Sequence, residues 1–482
     1  MNTLETLKQN EVFKHFLELT KIPRESGNER TVSDYCVNFA KTLGLEVIQE
    51  PSMNVIIKKP GSKGMEKAPT LILQGHLDMV CVKKDDLEFD FTKDAIPLLV
   101  DGDILKTEGT TLGADNGIAV AMIMAILESK SLSHPPIEAL FTVEEETGMG
   151  GVMSLMPENL TGQRLINIDA EEEGVILASC AGGVNNILTW PLKWVDGVEG
   201  EAFKLTVSGL KGGHSGIEIN RMRANAIKLI GRALRAILRD HKICISEISG
   251  GEKMNAIAKY AQSTLLVPKA DVEALEASVK ALNKQFIGEH LGSDPDIKLA
   301  LEKTSMPNKV LDQKTMLEIL DALCLMPFGV QTMSSTIEGL VESSSNLGIL
   351  TFEADKVTLT NSVRSSIVSL KKEISLRATQ IAELTHAEHH QISDYPAWAY
   401  RKDSELRDTM IATYEALYQK KLKVDAIHAG LECGFLSEKL GDIDMIAMGP
   451  NMRDVHTPYE AVSISSVQNV YEFLCHVLSK LA

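Results

Sequence analysis

Three short apolar runs in the first part of the chain each end in a histidine or an acid. Leu71-Ile72-Leu73 leads into Gln74-Gly75-His76-Leu77-Asp78, Ile137–Val143 into Glu144-Glu145-Glu146, and Arg164–Ile168 into Asp169. Apolar runs of this length, bounded by turn-forming residues, read as buried strands. Helical segments lie between and before them. They are 3–20; 29–43, where Val32, Cys36, Phe39 and Leu43 keep helical spacing and Gly44 supplies the stop; and Ile118–Leu127. Strands that alternate with helices call for a mostly parallel sheet with helices on both faces, an α/β fold. In such sheets ligands collect at the carboxyl ends of the strands, so the histidine and the acids are expected to line a cleft.

The chain has 482 residues, too many for one ordinary core, so two or three domains are expected. From about Val184 the texture changes: 202–208, 262–267, 346–353 and 356–363 alternate as half-buried strands do, with long amphipathic helices near 221–238, 271–288 and 367–388. That mixture suggests an α+β module with one open sheet face. After Asp394 the α/β texture returns, with a helix at 404–420, strands at Lys423–Ile427 and Asp442–Met448, and a terminal helix at 460–480. We therefore expect one α/β domain in two segments, 1–185 and 394–482, interrupted by an inserted domain over 186–393.

A net charge of −17 argues against nucleic acid or an anionic membrane as a partner. The seven cysteines are odd in number and form no Cys-x-x-Cys pair, which suits reduced thiols in a reducing compartment. The polar stretch Met1–Lys14 has no apolar core of a signal peptide, and the longest apolar run, Gly117–Leu127, is too short to span a bilayer. A cytoplasmic protein is expected.

His76, Asp115, Glu146, Asp169 and His456 are the candidate metal ligands. Singly, each admits a plainer reading: Asp115 as an N-cap, the glutamate runs as solvated turns, the histidines as loop residues. Together they supply two histidines and three carboxylates, a set able to hold a pair of divalent ions with one carboxylate bridging. Mixed nitrogen and oxygen ligation suits Zn²⁺, with Co²⁺ or Mn²⁺ as substitutes, and disfavours Mg²⁺ or Ca²⁺. His76 and Asp78 are two apart on an extended strand, so the acid is placed to orient the ring.

The order Gly75-His76-Leu77-Asp78, Gly113-Ala114-Asp115-Asn116-Gly117, Glu145-Glu146-Thr147-Gly148, Asn167-Ile168-Asp169, Gly213-His214-Ser215-Gly216 and His456-Thr457-Pro458 resembles the motifs of co-catalytic zinc metallopeptidases. The longer strings Asp169-Ala170-Glu171-Glu172-Glu173-Gly174 and Gly430-Leu431-Glu432-Cys433-Gly434 are similar to those of one branch, the bacterial Xaa-His dipeptidases, which cleave carnosine. The resemblance covers nearly the whole chain.

It implies that Asp115 bridges two Zn²⁺ ions, with His76 and Asp169 on one and Glu146 and His456 on the other. It further implies a cis peptide after Asp115, Glu145 as general base toward a metal-bridging water, and His214 as a donor to the developing oxyanion. Arg364, Asn255 and Gly430 match substrate-binding positions, Arg364 being suited to grip a free carboxylate. On this resemblance the inserted domain is a lid and dimerisation domain, the protein a homodimer, and the substrate a small unblocked dipeptide, preferably ending in histidine. Alternatives with the same chemistry are a tripeptidase, an aminoacylase or a carboxypeptidase. Further alternatives are a binding protein that has lost catalysis and a cysteine hydrolase using Cys81 or Cys180.

Overall fold

The structure, a computed structural model, describes residues 2–196 and 199–481. The chain folds into two compact units. The first comprises Met1–Ser179, Ala399–Ala426 and Leu431–Ala482; the second comprises Cys180–Trp398 and Ile427–Gly430. The sequence placed these divisions at 185/186 and 393/394. They fall earlier and later because the strand Gly182–Pro191 belongs to the second unit's sheet, as does the strand Glu388–Tyr395. The return of Ile427–Gly430 to the second unit had no counterpart in the sequence reading.

The first unit is built on an eight-stranded sheet. Its order is Glu46–Gln49, Val55–Lys59, Ile137–Thr142, Leu71–His76, Arg164–Asn167, Asp444–Ala447, Val175–Cys180, Lys423–Ile427. The four strands from Ile137–Thr142 to Asp444–Ala447 run parallel, and antiparallel pairs flank them. Every residue of Leu71–His76 and of Ile137–Thr142 is buried, as expected of central parallel strands covered on both sides. Against Leu71–His76 packs the helix Ala114–Glu128. It is apolar on all sides and buried on all sides, from Ile118 to Leu127. Each such Leu, Ile or Val side chain taken from water contributes roughly 1.5–3 kcal/mol. Lys59 closes the far end of this helix, its ammonium donating to the carbonyls of Ile126 (2.8 Å) and Ser129 (2.7 Å).

A smaller four-stranded sheet in the same unit joins Leu98–Asp101 and Ile104–Thr107 to Ala461–Ser463 and Met452–Arg453. The loop between the last two carries His456. The expected helix over 3–20 is two helices, Leu4–Leu7 and Phe13–Leu19. Asn10 separates them by accepting from the amides of Val12 and Phe13 with its side chain.

The second unit holds a nine-stranded sheet whose pairs are all antiparallel. Its order is Lys298–Lys303, Glu201–Ser208, Ala261–Val267, Cys244–Gly250, Val341–Phe352, Lys356–Ser365, Gly182–Pro191, Glu388–Tyr395, with Gly329–Met333 alongside Val341–Phe352. Helices Ala226–Asp240, Gln313–Leu325 and Val368–Leu384 pack on it. The expected helix 221–238 begins only at Ala226, where Asn225 caps it by accepting from Ile227 and Lys228. The expected helix 367–388 stops at Leu384, because the chain turns there into the edge strand Glu388–Tyr395. Among the described residues no helix is long and apolar enough to cross a membrane.

Candidate metal centre and substrate pocket

In the first unit the parallel strands deliver their ends to one place. His76 closes the strand Leu71–His76, Glu145 and Glu146 follow Ile137–Thr142, and Asp169 follows Arg164–Asn167. Asp115 starts the buried helix but leaves helical geometry (φ −79°, ψ 106°), and its peptide bond to Asn116 is cis.

The Asp115 carboxylate stands between two groups of side chains. Its Oδ1 lies 3.2 Å from His76 Nε2, which is also 3.5 Å from Asp169 Oδ1. Its Oδ2 lies 3.0 Å from His456 Nε2, which is also 3.0 Å from Glu146 Oε2. The structure thus brings His76, Asp115, Glu146, Asp169 and His456 together. His76 is 1% exposed, whereas His456, on its loop, is 49% exposed.

The electrostatics follow from so many acids in one place. Burial disfavours a charged His76, but hydrogen bonds from its ring to Asp115, Asp169 and Asp78 outweigh it and lift its pKa well above the usual value. Bonds to Asp115 and Glu146 push His456 up to about 11. Burial would raise the Asp115 carboxyl, yet the two histidines hold it below the ordinary range. Asp169, buried beside other carboxylates, rises to about 6. Glu146 Oε1 is buried without a hydrogen-bond partner. Ligand atoms of His76, Asp115 and Glu146 lie within 4.8 Å of one another. An unpartnered buried carboxylate oxygen, and imidazoles held toward acids, are what a site built for divalent cations presents, so this donor set fits them.

Asp78 is fully buried, and its role is wider than orienting one ring. Oδ1 lies 3.4 Å from His76 Nδ1 and accepts from the Glu145 amide (3.1 Å), while Oδ2 accepts from the Glu146 amide (3.2 Å) and from Ser26 Oγ (2.7 Å). One carboxylate thereby fixes a histidine and the turn that follows another strand. The Glu145 side chain is raised well above a normal glutamate, first by burial and then by the charges of Asp169, Glu432 and Glu146, with His76 opposing. A carboxylate so placed is a stronger proton acceptor than an ordinary one.

Three residues absent from the sequence-based site hold these loops. Asn116 Oδ1 accepts from the His76 amide (3.1 Å), and its Nδ2 donates to the Ile168 carbonyl (2.8 Å) and to Asp169 Oδ1 (2.7 Å). Arg24, 2% exposed, donates to the carbonyls of Leu77, Asp78 and Gly113. A Cβ at Gly113 or Gly117 would lie 2.4 or 2.7 Å from Arg24 Nη2, which explains both glycines of Gly113-Ala114-Asp115-Asn116-Gly117. Glu460 accepts from the amides of Leu112, Gly113, Ala114 and Asp115. Asn116 stood inside a motif already quoted; Arg24 and Glu460 had no local signal.

The second unit carries the other predicted residues. His214 Nδ1 accepts from the amides of Gly216 and Ile217, both at 3.1 Å. The neutral ring therefore keeps its proton on Nε2 and offers it as a donor. Burial and the nearby Arg364 lower its pKa, favouring that neutral form. The Ser215 amide donates to the Asn255 carbonyl (2.9 Å), tying the two loops together. Asn255 and Arg364 line one pocket with Asn185, Lys253 and Tyr395. Arg364 Nη1 donates to the Tyr395 hydroxyl (2.8 Å), and its buried Nε has no partner. A Cβ at Gly430 would come within 2.9 Å of the Tyr395 ring, and one at Gly183 within 2.5 Å. Gly430 thus makes room for Tyr395, which the sequence reading did not single out.

The comparisons with known proteins agree with this chemistry. Residues 72–480 match the model of peptidase family M20/M25/M40. The chain belongs to that family. Within it, the cytosol non-specific dipeptidase of Escherichia coli (strain K12) is 34% identical over 482 residues, covering 100% of this chain and 99% of that protein. The crystal structure of aminoacylhistidine dipeptidase from Vibrio alginolyticus superposes with a TM-score of 0.96 at 35% identity, covering 100% of this chain and 98% of that one. An aminopeptidase from Bacillus cereus, 14% identical with a TM-score of 0.58 over 98% of each chain, shares the fold. The Cys81 thiol, pushed by burial up to about 12, is a poor nucleophile for the cysteine-hydrolase alternative.

Proposed function

We propose that this M20/M25/M40 peptidase is a metal-dependent dipeptidase that hydrolyses small unblocked dipeptides, Xaa-His among them. Two divalent cations would be held by His76 and Asp169 on one side, Glu146 and His456 on the other, and Asp115 between. What supports the pair is the Asp115 carboxylate, each of whose oxygens meets a different histidine. Zinc is the first choice, with Co²⁺ or Mn²⁺ as substitutes, on the donor set of imidazole and carboxylate.

The cations supply Lewis acidity when bound. Glu145 accepts the proton of the attacking water as its oxygen bonds to the scissile carbonyl carbon. The same proton then passes to the amine as the carbon–nitrogen bond breaks. Asp78 keeps the Glu145 and Glu146 amides and the His76 ring in place throughout. In the second unit His214, with its proton on Nε2, is suited to donate to an oxyanion. In the same unit Arg364, steadied by Tyr395, is suited to pair with a free carboxylate, Asn255 lines the same pocket, and Gly430 makes room for Tyr395.

The name of the E. coli relative supports a cytoplasmic enzyme. A homodimer is carried over from the family resemblance, and sedimentation of the purified protein checks it.

The deciding assay sets β-alanyl-histidine and a histidine-free dipeptide beside a tripeptide and an N-acetyl amino acid. We expect cleavage of the dipeptides alone, loss of activity on chelation and its return with Zn²⁺. Failure to cleave any dipeptide overturns the proposal.

A further inference from the structure

Glu460 lies four residues beyond His456, in Pro458-Tyr459-Glu460, and is 2% exposed. Its carboxylate takes four consecutive backbone amides. Oε2 accepts from Leu112 (2.7 Å) and Gly113 (3.0 Å), Oε1 from Ala114 (2.8 Å) and Asp115 (3.2 Å). Those of Gly113, Ala114 and Asp115 are amides that the start of the helix Ala114–Glu128 leaves without partners of its own, and Leu112 lies just before its N-cap Gly113. An ordinary cap would come from a residue next to the helix. This one comes from 345 to 348 positions away, off the loop that carries His456.

The consequence is mechanical. Asp115 and His456 belong to segments far apart in the chain, yet their side chains must meet to within a few tenths of an ångström. The Glu460 bonds join those two segments directly, beside the ligand contact itself. We propose that Glu460 is a positioning residue. It sets the distance between Asp115 and His456, and so the affinity of the cation those two residues share with Glu146. The proposal rests on the two-cation reading given above.

Glutamine at 460 keeps the shape but has one carbonyl oxygen; its amide NH₂ would turn donor against donor toward either the Leu112–Gly113 or the Ala114–Asp115 pair. The test is calorimetric titration of the metal-free, full-length protein with Zn²⁺. A control is Glu138→Gln in the same unit: that carboxylate, 3% exposed, also clamps backbone amides, those of Thr161 and Gly162, but has no ligand beside it. Wild type should take two ions. Glu460→Gln should bind at least one of them about 10- to 100-fold more weakly, the usual range for partners that orient a ligand. Glu460→Asp keeps the charge with a shorter reach; should the glutamine variant not fold, it should show the same loss more mildly. Glu138→Gln should melt earlier yet titrate like wild type. The proposal is overturned by position-460 variants that titrate like wild type, or by Glu138→Gln weakening the ions as much as they do. Either result leaves the proposed function standing. Wild type taking fewer than two ions would instead overturn the two-cation reading, and this proposal with it.

Discussion

Removing the Asn116 side chain tests whether the ligand loops depend on one another rather than on the sheet. Asn116 is 1% exposed and makes three hydrogen bonds, to the His76 amide, the Ile168 carbonyl and Asp169 Oδ1. Alanine leaves at least the first two groups buried and unpartnered, at about 1–3 kcal/mol each, so the expected cost is about 2–6 kcal/mol. Asn116 Oδ1 packs directly on Gly75, where a Cβ would lie 2.6 Å from it. Tryptophan fluorescence is the wrong probe, because Trp190, Trp194 and Trp398, the three tryptophans of the chain, all lie in the second unit.

Hydrogen exchange of the peptide over Leu71–His76 reads the first unit directly. It belongs on the metal-free protein, since a bound cation adds its own stabilisation. A loss of 2 kcal/mol is about a thirtyfold faster exchange, and 6 kcal/mol is more than ten-thousandfold. Asn116→Asp keeps an acceptor for the His76 amide but sets a carboxylate against Asp169 and the Ile168 carbonyl. It should therefore lose at least as much as alanine. Exchange within about threefold of wild type in both variants would refute the claim that Asn116 braces the site.

Glu145→Gln should keep its cations, because the Glu145 amide and not its side chain is what Asp78 holds. Its kcat on a dipeptide should fall by about 10²- to 10⁴-fold, and a kcat within tenfold of wild type, with the metal content unchanged, would remove Glu145 from its role. Lys59 gives a pH prediction: burial lowers its pKa from 10.5 to about 8, so between those values the unfolded chain holds more protons than the folded one and stability rises with pH. Below about pH 8 the cost of the buried charge is fully present. Thermal unfolding of wild type minus Lys59→Met should thus climb from pH 8 to 10.5 and be flat below; a difference flat throughout contradicts it.

The strands that carry the site were legible because they are buried on both faces and are dominated by apolar residues, as Leu71–Leu73 and Ala139–Phe141 are. Elements that lean on backbone pairing alone were not. Glu388–Tyr395 is exposed along most of its length, so its residues carry no alternation, and it is a strand only because Gly182–Pro191 lies beside it. The small sheet under His456 was missed although Gly102-Asp103 is a two-residue hairpin turn, with Gly102 at φ 63°. Ligand candidates were legible as motifs. Their supports were not, since what Glu460 or Arg24 does is decided by partners far away in the sequence.

Those supports share a cause. A ligand placed beyond the end of a strand sits on backbone that the sheet no longer pairs, and buried backbone groups need partners. Here the partners are side chains from the neighbouring ligand loops: Asp78 for the Glu145–Glu146 turn, Asn116 for His76, Glu460 for the turn before Asp115. Two of these three braces are carboxylates, set among ligands that are themselves carboxylates, so bracing adds to the negative charge it has to hold. Arg24 answers that. Burial lowers its pKa, but Glu460 and Asp78 draw it back, and its fork donates to the carbonyls of Leu77, Asp78 and Gly113. A guanidinium spreads one charge over several donors, so it offsets part of the charge of both braces while tying together the backbones they hold. Lysine there would keep the charge but not that fork.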